Sequence, residues 1–577
     1  MKELKHLKPA FNLDLPKYRD LRELLNGSAA RYAKNNAFII KHKKSKTDIS
    51  YEYITFERFR DQVNQLGAGM LQAGFAGKNI AVIGKNSYPW MQSYFAVLCG
   101  LGTCVPLDKG LPYEELESSL IRSYADVLIY DPDMTDIIEE IKKNGNTQVK
   151  TFIAMREHGD ELSVPALMEK GRKVLESGDD TYLKLPIDPH AVTILLFTSG
   201  TTSMAKAVML SQDNLTSNVY ALLRCEDVRS TDVNMAFLPY HHTFGSTGQL
   251  VMIGGGAATA YCDGLKYLQK NIVEYKVSLF FCVPLLVESI YKRVMATVKK
   301  QGIEKKVAFG RKLSRFLLKF GIDIRRKLFK EILDQLGGNL RFVISGAAAI
   351  DPEAIEGFND FGITAVQGYG MTEAAPVITA ENHNSQEYGS IGRPIEGVEV
   401  KIDQPNEEGI GELIARGPNV MHGYFENEEA TAETIVDGWL HTGDLAYISE
   451  GGYVYICGRK KNVIVLKNGK NVYPEEIEVL IANLPYVEEV MVFGQQKGDD
   501  ERDIALSTKI VYKADVMKEE FGLTDADAIN AHIKGDIDAI NETLPVYKQI
   551  LRVITTDQPM VKTTTGKVKR YEETKNL

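Results

Sequence analysis

Short apolar runs, each closed by a glycine or a turn, alternate along the first part of the chain with stretches whose apolar residues return every three or four positions. Asn79–Gly84, Thr103–Leu107, Ala125–Tyr130, Val149–Ala154 and the run ending at Phe197 read as buried strands, and Pro89–Leu98 reads as helix. That rhythm predicts a mostly parallel sheet covered by helices. Upstream, Leu21–Leu71 reads as mostly helical, with Ile54-Thr55-Phe56-Glu57 as a helix start and Phe59, Val63, Leu66 and Met70 continuing its apolar stripe. Further on, Met235 begins a strand that runs into Pro239-Tyr240-His241-His242, Leu279–Val283 and Leu340–Gly346 are apolar strands, and Pro284 starts a long helix.

The pattern changes near the C-terminus. Gly411-Glu412-Leu413, Gly423-Tyr424 and Asp437–Leu445 (DGWLHTGDL) suggest a glycine-rich β region, and the polar, basic Gly458-Arg459-Lys460-Lys461-Asn462 has the composition of a hinge. Beyond it, strands at Glu489–Phe493 and Ile504–Val511 alternate with helical segments. The fold expected is α/β: a large N-terminal domain over 1–459, of mixed, mostly parallel sheets flanked by helices plus a β region, and a small mobile α+β domain over 460–577. A chain of 577 residues is too long for one core, which agrees with such a division.

Composition narrows the function. A net charge of −9 gives no global field towards nucleic acid, so no nucleic-acid partner is expected, while local basic pockets for small anions stay open. The N-terminus lacks the apolar core of a signal peptide and no apolar run reaches the length of a membrane span, which points to a cytoplasmic chain. Six scattered cysteines with no Cys-x-x-Cys pair read as buried free thiols. Residues 299–332 stand apart. Phe309, Leu313, Phe316, Leu317 and Phe320 fall near helical spacing, with Arg311, Lys312, Arg315 and Lys319 on the remaining face. Such a helix either packs its stripe on the core and solvates its charges, or lies peripherally on an anionic membrane face.

Candidate chemistry begins after Phe197. In Thr198-Ser199-Gly200-Thr201-Thr202-Ser203, followed by Lys206, backbone N–H groups and hydroxyls can turn towards a phosphate while the lysine adds a mobile charge. The spacing is not that of a Walker loop, and a plain turn remains the alternative for this stretch alone. In Gly368-Tyr369-Gly370-Met371-Thr372-Glu373, two glycines leave the Tyr369 ring uncrowded for stacking on a base, and Glu373 is the hard oxygen ligand magnesium prefers. Asp444, after a glycine, can accept hydrogen bonds from a vicinal diol. His241 and His242, taken as adjacent residues at a strand end, would point to opposite faces, which argues against a shared metal.

In order, the motifs TSGTTSMAKAV (198–208), YHHTFG (240–245), SGAAAI (345–350), GYGMTE (368–373), HTGDL (441–445), GRKKNVIVLKNGKNVYPEEIE (458–478) and TTTGKVKR (563–570) resemble the adenylate-forming superfamily of acyl-CoA synthetases, peptide-synthetase adenylation domains and luciferases. YPEEIE and the basic insert resemble the long-chain fatty acid-CoA ligases. The resemblance implies that Thr198, Ser199, Gly200, Thr201, Thr202 and Lys206 wrap the ATP phosphates, with Thr198 and Glu373 near Mg2+. It implies that Tyr369, beside Gly346, Ala347 and Ala348 and within Gly368–Thr372, faces the adenine, and that Asp444 and Arg459 hold the ribose. His242 and Phe244 would stand between nucleotide and acyl pocket, Lys461 at the hinge, Gly469 by the pantetheine entrance, and Lys567 as the lysine of adenylation. The implied function is ATP-dependent activation of a carboxylic acid, a medium- or long-chain fatty acid, to an acyl-adenylate, then thioester formation with coenzyme A. Two other readings stay open: loading of a carrier-protein thiol from an acyl or aryl acid, and a catalytically weak nucleotide-binding scaffold. The scaffold reading draws on Ser203, Ala205 and Ala207, which stand where the family has glycine, proline and glycine. Retention of Lys206, Glu373, Asp444 and Lys567 favours a working enzyme. The sequence leaves the oligomeric state open.

Overall fold

A computed structural model describes residues 6–45, 48–198, 205–467, 470–496, 504–562 and 568–575. Two large sheets dominate it. The seven-stranded sheet runs Gly423–Tyr424, Ala207–Ser211, Val192–Phe197, Gly102–Leu107, Lys78–Ile83, Val127–Tyr130, Thr151–Ala154. Its core strands are parallel, and Ala207–Ser211 and Gly423–Tyr424 add on antiparallel. The nine-stranded sheet has five consecutive parallel pairings at its centre and antiparallel edges, formed by Ile49–Thr55 at one side and Val377–Ala380 with Arg393–Pro394 at the other. Helix Gln212–Cys225 lies against the first sheet and helix Thr243–Gly255 against the second, and the two helices pack on each other, so a double helical layer fills the space between the sheets. Nearly every residue of Thr243–Gly255 is buried, which fits its lack of a polar face.

A five-stranded β unit, Glu399–Asp403, Gly411–Arg416, Trp439–Ile448, Ile435–Val436 and Val454–Arg459, follows. After Arg459 the short turn Lys460–Asn462 leads to a unit with its own core around Ile464, Ile477, Val492, Ile510 and Ile533. Its sheet pairs Val487–Gln496 with Ile504–Tyr512 and Arg552–Thr556. All six cysteines are free and five are buried, Cys262 being partly exposed.

Two expectations need refinement. Leu21–Leu71 is mostly helical as expected but not continuously so: helix Leu21–Tyr32 is followed by the hairpin Asn36–Lys43 and Ile49–Thr55 before helix Phe56–Gln72, which Thr55 caps by accepting the Arg58 N–H. The hairpin strands run Phe38-Ile39-Ile40 and Tyr51-Glu52-Tyr53-Ile54, β-branched and aromatic residues that favour a pleated surface. The second refinement concerns the basic helix, Glu304–Leu318. Its packed face is Val307, Gly310 and Ser314, while Phe309, Phe316 and Phe320 are 68%, 57% and 67% exposed. A Cβ on Gly310 would lie 3.1 Å from Leu328 and 3.2 Å from Phe329, so small residues let this helix sit close. Arg311 and Arg315 point inward and share Asp360, with Nε–O distances of 2.5 and 2.6 Å. The aromatic stripe therefore faces outward and these two arginines are the anchored side chains.

Candidate active site

The apolar strand Val192–Phe197 ends its pairing at Phe197 opposite Ala207. Immediately after it, the Thr198 N–H donates to the Lys206 carbonyl at 2.9 Å and the Thr198 hydroxyl reaches the same oxygen at 3.3 Å. The two roots of the hydroxyl-rich loop are thereby clamped together, while Ser199, Gly200, Thr201, Thr202 and Ser203 lie outside the described residues. Lys206 Nζ stands 4.8 Å from the Tyr424 ring centroid, and the Tyr424 hydroxyl donates to Glu373 Oε1 at 2.8 Å. Lys206 and Glu373, far apart in sequence, are thus neighbours across one tyrosine. The Thr198 hydroxyl and Glu373 carboxylate are hard oxygen donors, a set that fits magnesium.

A second cluster forms where Trp439–Ile448 pairs with Val454–Arg459. Register places Asp444 opposite Arg459, whose Nε is 2.7 Å from Asp444 Oδ1. The Tyr369 hydroxyl donates to Asp444 Oδ2 at 2.5 Å, and the Asp444 N–H donates to the Thr442 hydroxyl at 3.1 Å. Burial first, and the Asp444 carboxylate second, hold the Tyr369 phenol well above its ordinary range, so it remains a donor. Gly368 and Gly370 end the strand Thr364–Gly370, where a Cβ on Gly370 would sit 1.9 Å from the Pro376 carbonyl oxygen. The Met371 N–H donates to that carbonyl at 2.9 Å, and the turn Thr372–Ala374 then carries Glu373. One short segment, 368–373, therefore joins the Asp444 cluster to the Lys206 cluster. Gly346 adjoins it: a Cβ there would lie 3.1 Å from the Phe244 ring and 3.3 Å from the Gly368 carbonyl. Ala347 follows at φ 75°, a left-handed conformation that L residues adopt at a cost of about 1–2 kcal/mol, and Ala348 is exposed beside it.

His242 immediately precedes helix Thr243–Gly255, two residues before Phe244, whose ring lies against Gly346. The expectation that His241 and His242 diverge does not hold. Residues 240–242 form a turn and bend after strand Val233–Ala236, so strand alternation does not apply, and the two rings lie 4.3 Å apart. Asp108, just past strand Gly102–Leu107, places Oδ1 3.4 Å from His241 Nε2, and ligand atoms of all three residues fall within 4.8 Å of one another. Burial raises the Asp108 carboxyl, but His241 and the Gly110 N–H outweigh it and hold the group well below the usual carboxylate range.

Lys461 lies in the turn Lys460–Asn462, while Gly469 and Lys567 lie outside the described residues. Sequence reasoning missed Tyr424 and Asp108. Gly423-Tyr424 was visible only as part of a β region, and its signal was an aromatic after a glycine. Asp108 gave the weaker signal of a carboxylate directly after a buried strand.

Among solved structures the chain is similar to an anthranilate CoA ligase, AuaEII, determined with anthranoyl-AMP (TM-score 0.74, 20% identity, 98% of each chain covered). The fold is therefore that of the adenylate-forming enzymes. Profiles for the AMP-binding enzyme and for the AMP-binding enzyme C-terminal domain match residues 27–425 and 461–576, and the chain belongs to the AMP-binding enzyme family. Its relatives include long chain acyl-CoA synthetase 7, peroxisomal, of Arabidopsis thaliana, 26% identical over 83% of this chain and 72% of that protein. Feruloyl-CoA synthase of an Amycolatopsis species is 29% identical over 76% of this chain and 80% of its own length.

Proposed function

We propose that this protein joins a long-chain fatty acid to coenzyme A in an ATP-dependent, AMP-forming reaction. The observation that carries the reading is the segment 368–373, which sets a cation and an oxygen-donor carboxylate at one end (Lys206, Glu373) and a diol-accepting carboxylate at the other (Asp444, with Arg459 and Tyr369). The acid's carboxylate attacks the α-phosphorus of ATP, forming the acyl-adenylate and releasing pyrophosphate, and a thiolate then attacks the acyl carbonyl and releases AMP. Bringing a carboxylate to a triphosphate concentrates negative charge, which Lys206 and Lys567 offset. Thr198 and Glu373 would hold magnesium, which would supply further charge neutralisation at the phosphates. Asp444 and Arg459 orient the ribose, and His242 with Phe244 separates the nucleotide from the acyl pocket. Residues 460–577 move as a unit about Lys461, and Gly469 lies at the thiol entrance.

Long-chain acid is favoured over aryl acid because several relatives bear long-chain names, and coenzyme A over a carrier protein rests on the relatives' names in the same way. Peripheral contact with an anionic membrane face through 299–332 is part of the proposal, supported by the outward phenylalanines of Glu304–Leu318. Acid-dependent exchange of labelled pyrophosphate into ATP, run across short, medium, long and aromatic acids, tests the reading. Strongest exchange with long-chain acids is expected. Exchange confined to aryl acids would replace the substrate class, and none with any acid would leave the nucleotide-binding scaffold.

A further inference from the structure

The strand Gly423–Tyr424 is two residues long, yet it is bonded to both segments that meet at the phosphate end of the site. Tyr424 pairs with Val208, and the Phe425 N–H donates to the Ala207 carbonyl at 2.8 Å, immediately beside Lys206. On the other side, the Met421 N–H donates to the Glu373 carbonyl at 2.8 Å. The Tyr424 N–H itself donates to the Thr431 hydroxyl at 2.8 Å, and the residue is 6% exposed. Its ring faces Lys206 Nζ and its hydroxyl donates to Glu373 Oε1.

We propose that Tyr424 is a positioning residue that holds Lys206 and Glu373 in register while keeping them from neutralising one another, an inference that rests on the nucleotide-activating reading above. A lysine and a glutamate lining one cleft tend to pair, and that pair would have to break before phosphate and metal could enter. An aromatic face attracts the ammonium without taking its charge. A phenol donates to the carboxylate without cancelling it, which a lysine or arginine at 424 would do. The same strand fixes the root of the loop at Ala207, where this chain lacks the family's glycine.

The test is calorimetric binding of ATP, with and without magnesium, to the full-length chain carrying Tyr424→Phe or Tyr424→Leu. The phenylalanine keeps the ring and loses the hydroxyl. It should leave magnesium-free ATP binding unchanged and weaken MgATP binding about tenfold, the scale of one hydrogen bond to a charged group. The leucine removes both contacts, frees Lys206 to pair with Glu373, and should weaken both forms. Thermal midpoints identify a variant that fails to fold, and if the leucine does so the phenylalanine carries the test. MgATP binding by Tyr424→Phe equal to wild type, or equal weakening of both forms by that variant, would overturn the positioning role alone. A wild-type chain that binds neither form would overturn the nucleotide reading and this inference with it.

Discussion

Glu381 shows how a single buried carboxyl sets the pH response of the sheet that carries the site. It is fully buried and accepts hydrogen bonds from the Gln367 and Glu387 N–H groups, the Gln386 amide and the Ser390 hydroxyl. Burial nevertheless outweighs these donors and lifts its pKa to about 7. A carboxyl raised in the folded state binds its proton more tightly there than in the unfolded chain. Its contribution is therefore full at low pH, declines as pH rises above the unfolded value, and levels off above about 7. Glu381→Gln does not titrate, so the advantage of the wild type over this variant should shrink by about 2–3 kcal/mol between pH 5 and pH 8. Thermal midpoints of the pair at the two pH values measure it, and a pH-independent gap would refute it. At this scale the sequence singles out Lys206, Glu373, Asp444, Tyr369 and Arg459 by residue type, and the fold brings them into two adjoining clusters. Tyr424 was not legible, because its role comes from which strands meet and not from its neighbours in the chain.

Elements were readable where local pattern and tertiary burial agree. The strands Lys78–Ile83, Gly102–Leu107 and Val127–Tyr130 hold the buried apolar runs Ile80–Ile83, Cys104–Leu107 and Val127–Tyr130 because parallel strands are covered on both faces. For the helix Glu304–Leu318 periodicity leaves two readings open, because it reports an apolar stripe without saying what the stripe faces. Here Asp360 and Glu356 on the helix Pro352–Phe361 draw Arg311 and Arg315 inward, and Phe309, Phe316 and Phe320 are left in solvent. Exposed Lys305, Lys306, Lys312 and Lys319 surround them. Among the described residues no helix is long and apolar enough to cross a membrane. Aromatics set among lysines favour an anionic interface, where each buried ring adds about 1.5–3 kcal/mol. Sedimentation with phosphatidylglycerol vesicles should capture the protein at low salt, phosphatidylcholine vesicles should not, and Phe316→Ala with Phe320→Ala should weaken capture at least about tenfold. Failure of the wild type to bind anionic vesicles would remove membrane contact from the reading.

For the molecule as a whole, the question is how one carbonyl carbon meets two different sets of groups in succession. Adenylation needs positive charge at the phosphates, while thioester formation needs that charge withdrawn and a thiol admitted. The chain has the parts for such an exchange. Its C-terminal unit carries its own core and is joined through Lys460–Asn462. At the joint, Glu412 accepts from the Gly443 N–H at 3.0 Å, pairs with His441 at 3.0 Å and with Lys460 Nζ at 2.9 Å. Through Glu412 the strand that carries Asp444 is thus linked to Lys460, the first residue of the turn. Within the unit, Lys562 and Val568 bridge antiparallel and Lys562 pairs with Glu489 on the strand Val487–Gln496, while Lys567 itself lies outside the described residues. If rotation of the unit carries Lys567 to the phosphates for the first step and away for the second, Lys567→Ala should depress acid-dependent pyrophosphate exchange by about 10²–10³, the range for losing one aimed donor to a developing charge. It should spare thioester formation from supplied acyl-adenylate and coenzyme A, because that step proceeds with the lysine withdrawn. The two half-reactions are measured separately on the same variant. Equal losses in both would mean that Lys567 serves the fold or a step common to both, and the exchange of active-site groups by rotation would have to be abandoned.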